Sequence, residues 1–343
     1  MSIATTIDAP AHGRLEILHM DRPAGSFTAF KAWLVNRAMQ AVTSYSMRGV
    51  LKAHAEGPDA FLKFVERQRA MHYKFDAPTL PMLEAEVVRQ IGPGPGLAAP
   101  PAPSEWFAPR HKKARGFVFY VHGGSFVAER SPRITQLVAR FAATAEARVF
   151  APSYRLAPEH PCPAAVEDIV AAWAWFQETW PDEPVVALAE SAGAAILVAA
   201  LQQGRARGLP MPSGMVLLSP WLDLSLQSWS IAATSLLGTT PHTMESLAVF
   251  ARFYLDGLSP TDPVASPIFG DFHGFPPALI HASRGDILYD DAVRVAERIR
   301  DAGGDLTVRL WAEETHVWER MSTAKAKQSI TLAAEFIRRR LDA

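Results

Sequence analysis

The chain has 343 residues, 49% of them hydrophobic, enough to bury one large core or a core with a cap. A formal net charge of −1 argues against a nucleic-acid partner, which would leave a strongly basic surface. The single cysteine, Cys162, excludes an intrachain disulfide framework, and its place between Pro161 and Pro163 suits simple packing.

Met1-Ser2-Ile3-Ala4-Thr5-Thr6 has neither the basic nor the apolar region of a signal peptide. No apolar helix approaches the ~20 residues of a membrane span, so a soluble, cytoplasmic protein is expected. From about Gly25 to Met71 the pattern is helical: Phe27, Phe30, Trp33, Leu34, Ala38, Leu51, Phe61, Phe64 and Val65 recur at helical spacing. Residues 1–75 are therefore expected to form an N-terminal helical segment that contributes to a cap, and 76–343 the core. Leu83–Ile91 and Trp106–Pro109 read as the opening strands, joined by an exposed loop rich in proline and glycine.

Gly116-Phe117-Val118-Phe119-Tyr120-Val121 is short, apolar and rich in aromatic and β-branched residues, as in a fully buried parallel strand. It stops on His122-Gly123-Gly124-Ser125-Phe126. Paired glycines turn the chain sharply and leave backbone N–H groups open to a ligand, as a site for a developing oxyanion requires. His122 is expected to shape this loop through its ring hydrogen bonds. A second buried strand, Val185-Val186-Ala187-Leu188-Ala189, runs through Glu190-Ser191-Ala192-Gly193 into a good helix former, Ala195–Leu201. A strand, a tight turn carrying serine and then a helix form the context of a nucleophile elbow, with the Ala192 N–H at the positive end of the helix. Ser191 also suits a helix N-cap, as the alternative reading. The insert Leu226–Leu258 is again helical, and its Trp229, Met244, Phe250, Phe253 and Tyr254 are expected to pack within a cap.

A serine nucleophile needs a base, and the base needs an orienting carboxylate. Pro277–Ser283 reads as a strand, and Asp286 is the first carboxylate past its end; Asp290 is its rival, at the start of the following helix. Asp262 is expected in a turn. Leu306–Trp311 alternates as a half-buried edge strand would, and His316 lies on the loop after it, where a base could reach Ser191. His281, inside a strand, and His242 and His273, in connecting segments, are expected to be structural.

These segments resemble a known family. His122-Gly123-Gly124, Tyr154-Arg155-Leu156-Ala157-Pro158-Glu159-His160-Pro161, Glu190-Ser191-Ala192-Gly193, Ser219-Pro220-Trp221-Leu222-Asp223-Leu224 and Gly285-Asp286 are similar, in order, to the hormone-sensitive lipase branch of the α/β-hydrolases. The resemblance implies an α/β-hydrolase fold: a mostly parallel sheet flanked by helices, with a helical cap that includes 226–258. It implies a serine carboxylic-ester hydrolase with Ser191, Asp286 and His316 as triad, Gly123, Gly124 and Ala192 as oxyanion donors, and neither cofactor nor metal. The family usually carries Gly-Asp-Ser-Ala-Gly-Gly at the elbow, where this chain has Ala189, Glu190 and Ala194. Phe126, Trp221, Leu288 and Trp318 are candidates for the pocket of a small to medium hydrophobic ester, and a homodimer is compatible with the sequence. The same triad would serve an acyltransferase or an amide or lactone hydrolase. A binding protein on this scaffold would normally have lost a triad member.

Overall fold

Alternation decides which face of the sheet each residue serves, because successive side chains on a strand point to opposite sides. The computed structural model describes residues 3–7, 15–20, 41, 43–75, 87–92, 99–237 and 240–343. In its central strands β5 (Phe117–Val121), β7 (Val185–Glu190) and β8 (Gly214–Leu218) every residue is buried. Phe117, Phe119, Val121, Val185, Ala187, Ala189, Met215 and Leu217 enter one core, and Val118, Tyr120, Val186, Leu188, Val216 and Leu218 the other. Two separate cores explain why these segments are continuously apolar rather than alternating.

The remaining strands are β1 (Ile3–Ile7), β2 (Leu15–His19), β3 (Val87–Ile91), β4 (Ser104–Pro109), β6 (Arg148–Pro152), β9 (Ala278–Ser283) and β10 (Leu306–Trp311). They form one ten-stranded sheet in the order β1-β2-β10-β9-β8-β7-β5-β6-β4-β3. Neighbours from β2 through β6 are parallel; β1 at one edge and β4 and β3 at the other are antiparallel. The order reverses at β5: the chain proceeds to β6 on one side, then returns to build β7, β8, β9 and β10 on the other. A crevice opens at such a reversal, beyond the carboxyl ends of the strands. The His122 loop follows β5 and the Ser191 turn follows β7, so both border it.

One expectation for the amino-terminal region and one for β10 are corrected. Residues 3–7 and 15–19 are strands rather than helix, and β2 pairs in parallel with β10, Leu15 opposite Leu306. β10 is consequently an interior strand, not an edge; its alternation reflects Thr307 and Arg309 being only partly covered. The opening strands begin at Val87 and Ser104, and 83–86 lie outside the described residues.

Helix α1 (43–55) and α2 (Pro58–Phe75) come from the amino-terminal region. α3 (Pro132–Ala145) and α9 (Ala324–Leu341) cover one face of the sheet. α4 (Ala164–Thr179), α5 (Ala192–Ala206) and α8 (Tyr289–Asp301) cover the other. The insert supplies α6 (Trp229–Leu237) and α7 (Met244–Leu255). α2 packs on α7: Phe61 stacks on Phe253 with ring centroids 4.0 Å apart and meets Phe250 edge-on at 6.5 Å. Trp229 departs from the expected cap interior and is exposed. Phe27, Phe30, Trp33, Leu34 and Ala38 lie outside the described residues. Among the described residues, no helix is long and apolar enough to cross a membrane.

Candidate active site

The turn after β7 is strained where the sequence places its serine. Ser191 has φ 54° and ψ −131°, a backbone state costly for any residue with a Cβ. It is held there by backbone bonds, Ser191 N–H to Leu218 O at 3.0 Å and Trp221 N–H to Ser191 O at 3.1 Å. The hydroxyl does not cap α5, so the N-cap reading is set aside. Its Oγ lies instead 2.8 Å from His316 Nε2. Ala189 needs no glycine-like freedom, because it sits in regular strand between Val121 and Leu217. The position that requires glycine is 193, where a Cβ would lie 2.5 Å from Val121 O and against the His122 carbonyl.

His316 Nδ1 is 2.9 Å from Asp286 Oδ2 and 3.2 Å from Oδ1. Burial of Asp286 works to raise its pKa, yet the His316 ring and bonds from His316, Leu288 N–H and Ser219 hold the carboxyl below its usual value. An ionised carboxylate at Nδ1 keeps that nitrogen protonated and leaves Nε2 free to accept a proton from the serine. The base loop is strained too: Val317 has φ 45°, rare for a β-branched residue, and its N–H donates to Ser219 Oγ at 3.2 Å.

The rival Asp290 and its neighbour Asp291 make their bonds away from His316. Asp290 accepts the Ser230 N–H at 2.7 Å, at the start of α6, and Asp291 accepts from Leu222 N–H, Asp223 N–H and Ser228 Oγ. Burial raises the Asp291 carboxyl to about 6 despite these bonds. Asp262 closes a turn through the Val264 N–H, as expected.

His122 shapes its loop as the sequence suggested. Nδ1 donates to Gly123 O at 2.8 Å, the ring stacks on Tyr154 at 4.4 Å, and Tyr154 Oη donates to His122 O at 2.6 Å. Burial lowers the His122 pKa to about 3, so the ring is neutral. One expected oxyanion donor is corrected here. The Gly123 N–H donates to Glu190 Oε1 at 2.8 Å and is already spent. Gly123 is required for space instead: a Cβ would lie 2.8 Å from Ser191 Cβ. The N–H groups of Gly124, Ser125 and Ala192 have no acceptor among the described residues. Ser125, with φ 53°, follows two glycines without being one, so nothing in the sequence singles out its N–H.

Phe126, Trp221 and Leu288 are buried together on the cap side, Phe126 5.2 Å from Trp221 and stacked at 3.9 Å on Tyr254. Trp318 is corrected as a pocket residue: it packs on Trp311 in a separate cluster with Ala326. His281 and His273 are structural, the first bonded to Ser329 inside the core, the second on a surface turn with Asp271. His242 is not remote. Its ring meets His316 edge-on at 5.4 Å, and with Thr240 and Pro241 it faces Asp286 and His316 across a small cavity. Burial, then the nearby His316, lowers its pKa to about 3, so it adds no charge beside the base. Among the described residues no group of three or more His, Cys, Asp or Glu side chains is gathered as a metal site.

A strand–elbow–helix turn bearing a hydrogen-bonded Ser–His–Asp line on a largely parallel sheet defines the class of this molecule, and comparison with known proteins agrees. Residues 118–320 match the model of a family described as having the α/β hydrolase fold. An acetyl-hydrolase from Streptomyces hygroscopicus is 35% identical over 251 residues, covering 72% of this chain and 83% of the relative. An esterase from Acinetobacter venetianus is 30% identical over 230 residues, covering 65% and 75%. A crystal structure of an esterase from the bacterial hormone-sensitive lipase family superposes with a TM-score of 0.71 at 29% identity, covering 87% of this chain and 98% of that one. The chain belongs to the α/β-hydrolase fold family and, within it, to the esterases of the bacterial hormone-sensitive lipase branch.

Proposed function

We propose that this carboxylic-ester hydrolase works through an acyl-enzyme formed on Ser191. His316 Nε2 takes the hydroxyl proton as Oγ attacks the ester carbonyl, and Asp286 holds the imidazole in the productive tautomer. The Gly124, Ser125 and Ala192 N–H groups receive the oxyanion. As it collapses, the ester C–O bond breaks and His316 gives its proton to the departing alcohol; a water deprotonated by His316 then cleaves the acyl-enzyme and frees the acid and Ser191. The observation that carries the reading is the continuous line from Ser191 Oγ through both ring nitrogens to a buried carboxylate, at 2.8 and 2.9 Å. The apolar residues next in the chain or bonded to the site, Phe126 after the Gly124 loop, Trp221 bonded to Ser191 O and Leu288 bonded to Asp286, favour small to medium hydrophobic acyl or alcohol groups. The relative named acetyl-hydrolase supports the small end of that range.

The test is a labelled fluorophosphonate together with p-nitrophenyl esters of increasing acyl length. Wild-type protein should label at Ser191 and Ser191→Ala should not, while turnover falls by about 10⁶-fold with the fold retained. Turnover of the alanine variant within tenfold of wild type would overturn the assignment.

A further inference from the structure

Glu190 immediately precedes the nucleophile, and its fully buried carboxylate gathers donors from three segments. Tyr120 Oη, on β5, donates to Oε1 at 3.1 Å, and the Gly123 N–H, in the loop after β5, donates to the same oxygen at 2.8 Å. Arg320 Nη2, at the end of the 3-10 turn Trp318–Arg320 just past His316, donates to Oε2. The fit is tight, since a Cβ on Gly123 would lie 2.6 Å from Glu190 Oε2.

A buried carboxylate must be paired or it costs several kcal/mol, so some partners are required of any residue here. Their location is what distinguishes this one. Gly123 precedes Gly124 and Ser125, whose N–H groups have no acceptor among the described residues, and Arg320 belongs to the turn just past His316. An aspartate, one methylene shorter, could not keep both its strand-side bonds and the reach to Arg320. Preorganised donors act only if they are held where charge will develop, and a misplacement of about 1 Å can cost on the order of 10²-fold.

We propose that Glu190 is a positioning residue: it ties the oxyanion loop and the His316 turn to the nucleophile's own strand, so that all three stay in register. The inference rests on Ser191 being the nucleophile. In Glu190→Gln the amide oxygen can still accept from Gly123 and Tyr120, but its NH₂ faces the Arg320 guanidinium, donor against donor. Arg320→Met releases the same tie from its partly exposed end and leaves the carboxylate two donors.

The experiment measures kcat and KM on p-nitrophenyl butyrate, inhibition by a trifluoromethyl ketone that mimics the tetrahedral intermediate, melting temperature, and fluorophosphonate labelling. Both variants should lose about 10- to 100-fold in kcat with KM within about threefold of wild type. Inhibitor affinity should fall in step with kcat/KM, and Glu190→Asp should recover only part of the loss. A purely structural role would lower the melting temperature while leaving kcat and inhibitor affinity per labelled site unchanged. That result, in either variant, overturns the proposal, and Arg320→Met decides it if Glu190→Gln does not fold. Wild-type protein that fails to label at Ser191 would overturn the nucleophile itself, a failure separable from one confined to the two variants.

Discussion

Replacing Asp286 by asparagine tests whether the carboxylate does more than fill space. The side chain is 1% exposed, and Oδ1 already accepts the Leu288 N–H at 3.1 Å. An asparagine keeping that bond turns its NH₂ toward His316 Nδ1, where Oδ2 stood at 2.9 Å. Facing a donor, Nδ1 must give up its proton, and the ring proton moves to Nε2, 2.8 Å from Ser191 Oγ. Two donors then confront each other and the serine has no base. Loss of the productive tautomer costs about 10⁴ in kcat, or ~5.5 kcal/mol of transition-state stabilisation. The isosteric change preserves packing, so the melting temperature should move little. Stopped assays on p-nitrophenyl butyrate with a parallel thermal melt give both quantities. A kcat within tenfold of wild type, with the fold intact, would refute the claim that Asp286 sets the tautomer.

Asp290→Asn should keep kcat within about threefold, because Asp290 meets the Ser230 N–H and not the base; a loss near that of Asp286→Asn would reverse the two assignments. Gly193→Ala should abolish soluble expression or activity, since its Cβ would enter the Val121 and His122 carbonyls; a soluble variant with wild-type turnover would show the elbow to be looser than described. Burial raises the Glu319 carboxyl to about 7, against 4.5 for a free glutamate. The folded state therefore binds a proton that the unfolded chain has released between those values, and this contribution to stability is full below about 4.5 and lost as pH rises through 7. It is on the order of 3 kcal/mol. Melting temperatures at pH 5 and pH 8 should differ less in Glu319→Gln than in wild type, and equal differences would refute the linkage.

Motifs that depend on local backbone geometry were legible in the sequence. Val185–Ala189 read as a buried strand running into a serine turn, and Asp286 and His316 follow strand ends in order; the structure brings the three side chains together. The direction of a backbone N–H was not legible. Gly123 looked like a donor because glycine permits close approach, but its N–H is taken by Glu190, far along the chain and on the neighbouring strand. Asp286 and Asp290 could not be separated by spacing, because the partner of Asp290 lies in the insert near Ser230. The alternation of β10 suggested an open edge, and nothing local to it announces β2. In each case the deciding contact joins segments distant in sequence.

The parallel pairing of β2 with β10 also sets a schedule for folding. As the chain is synthesised, Leu15–His19 emerges early, while its partner Leu306–Leu310 follows only after nearly all the intervening hydrolase core. Chains grow at roughly 5–20 residues per second, so the early strand waits many seconds without its neighbour. Closing so large a loop is entropically slow and is rewarded only once β9 has presented β10. The base loop begins where β10 ends, at Trp311, so the stretch that delivers His316 to Ser191 is among the last to be fastened. A nascent chain thus carries Ser191 and its turn well before residues 306–316 exist to set His316 beside it.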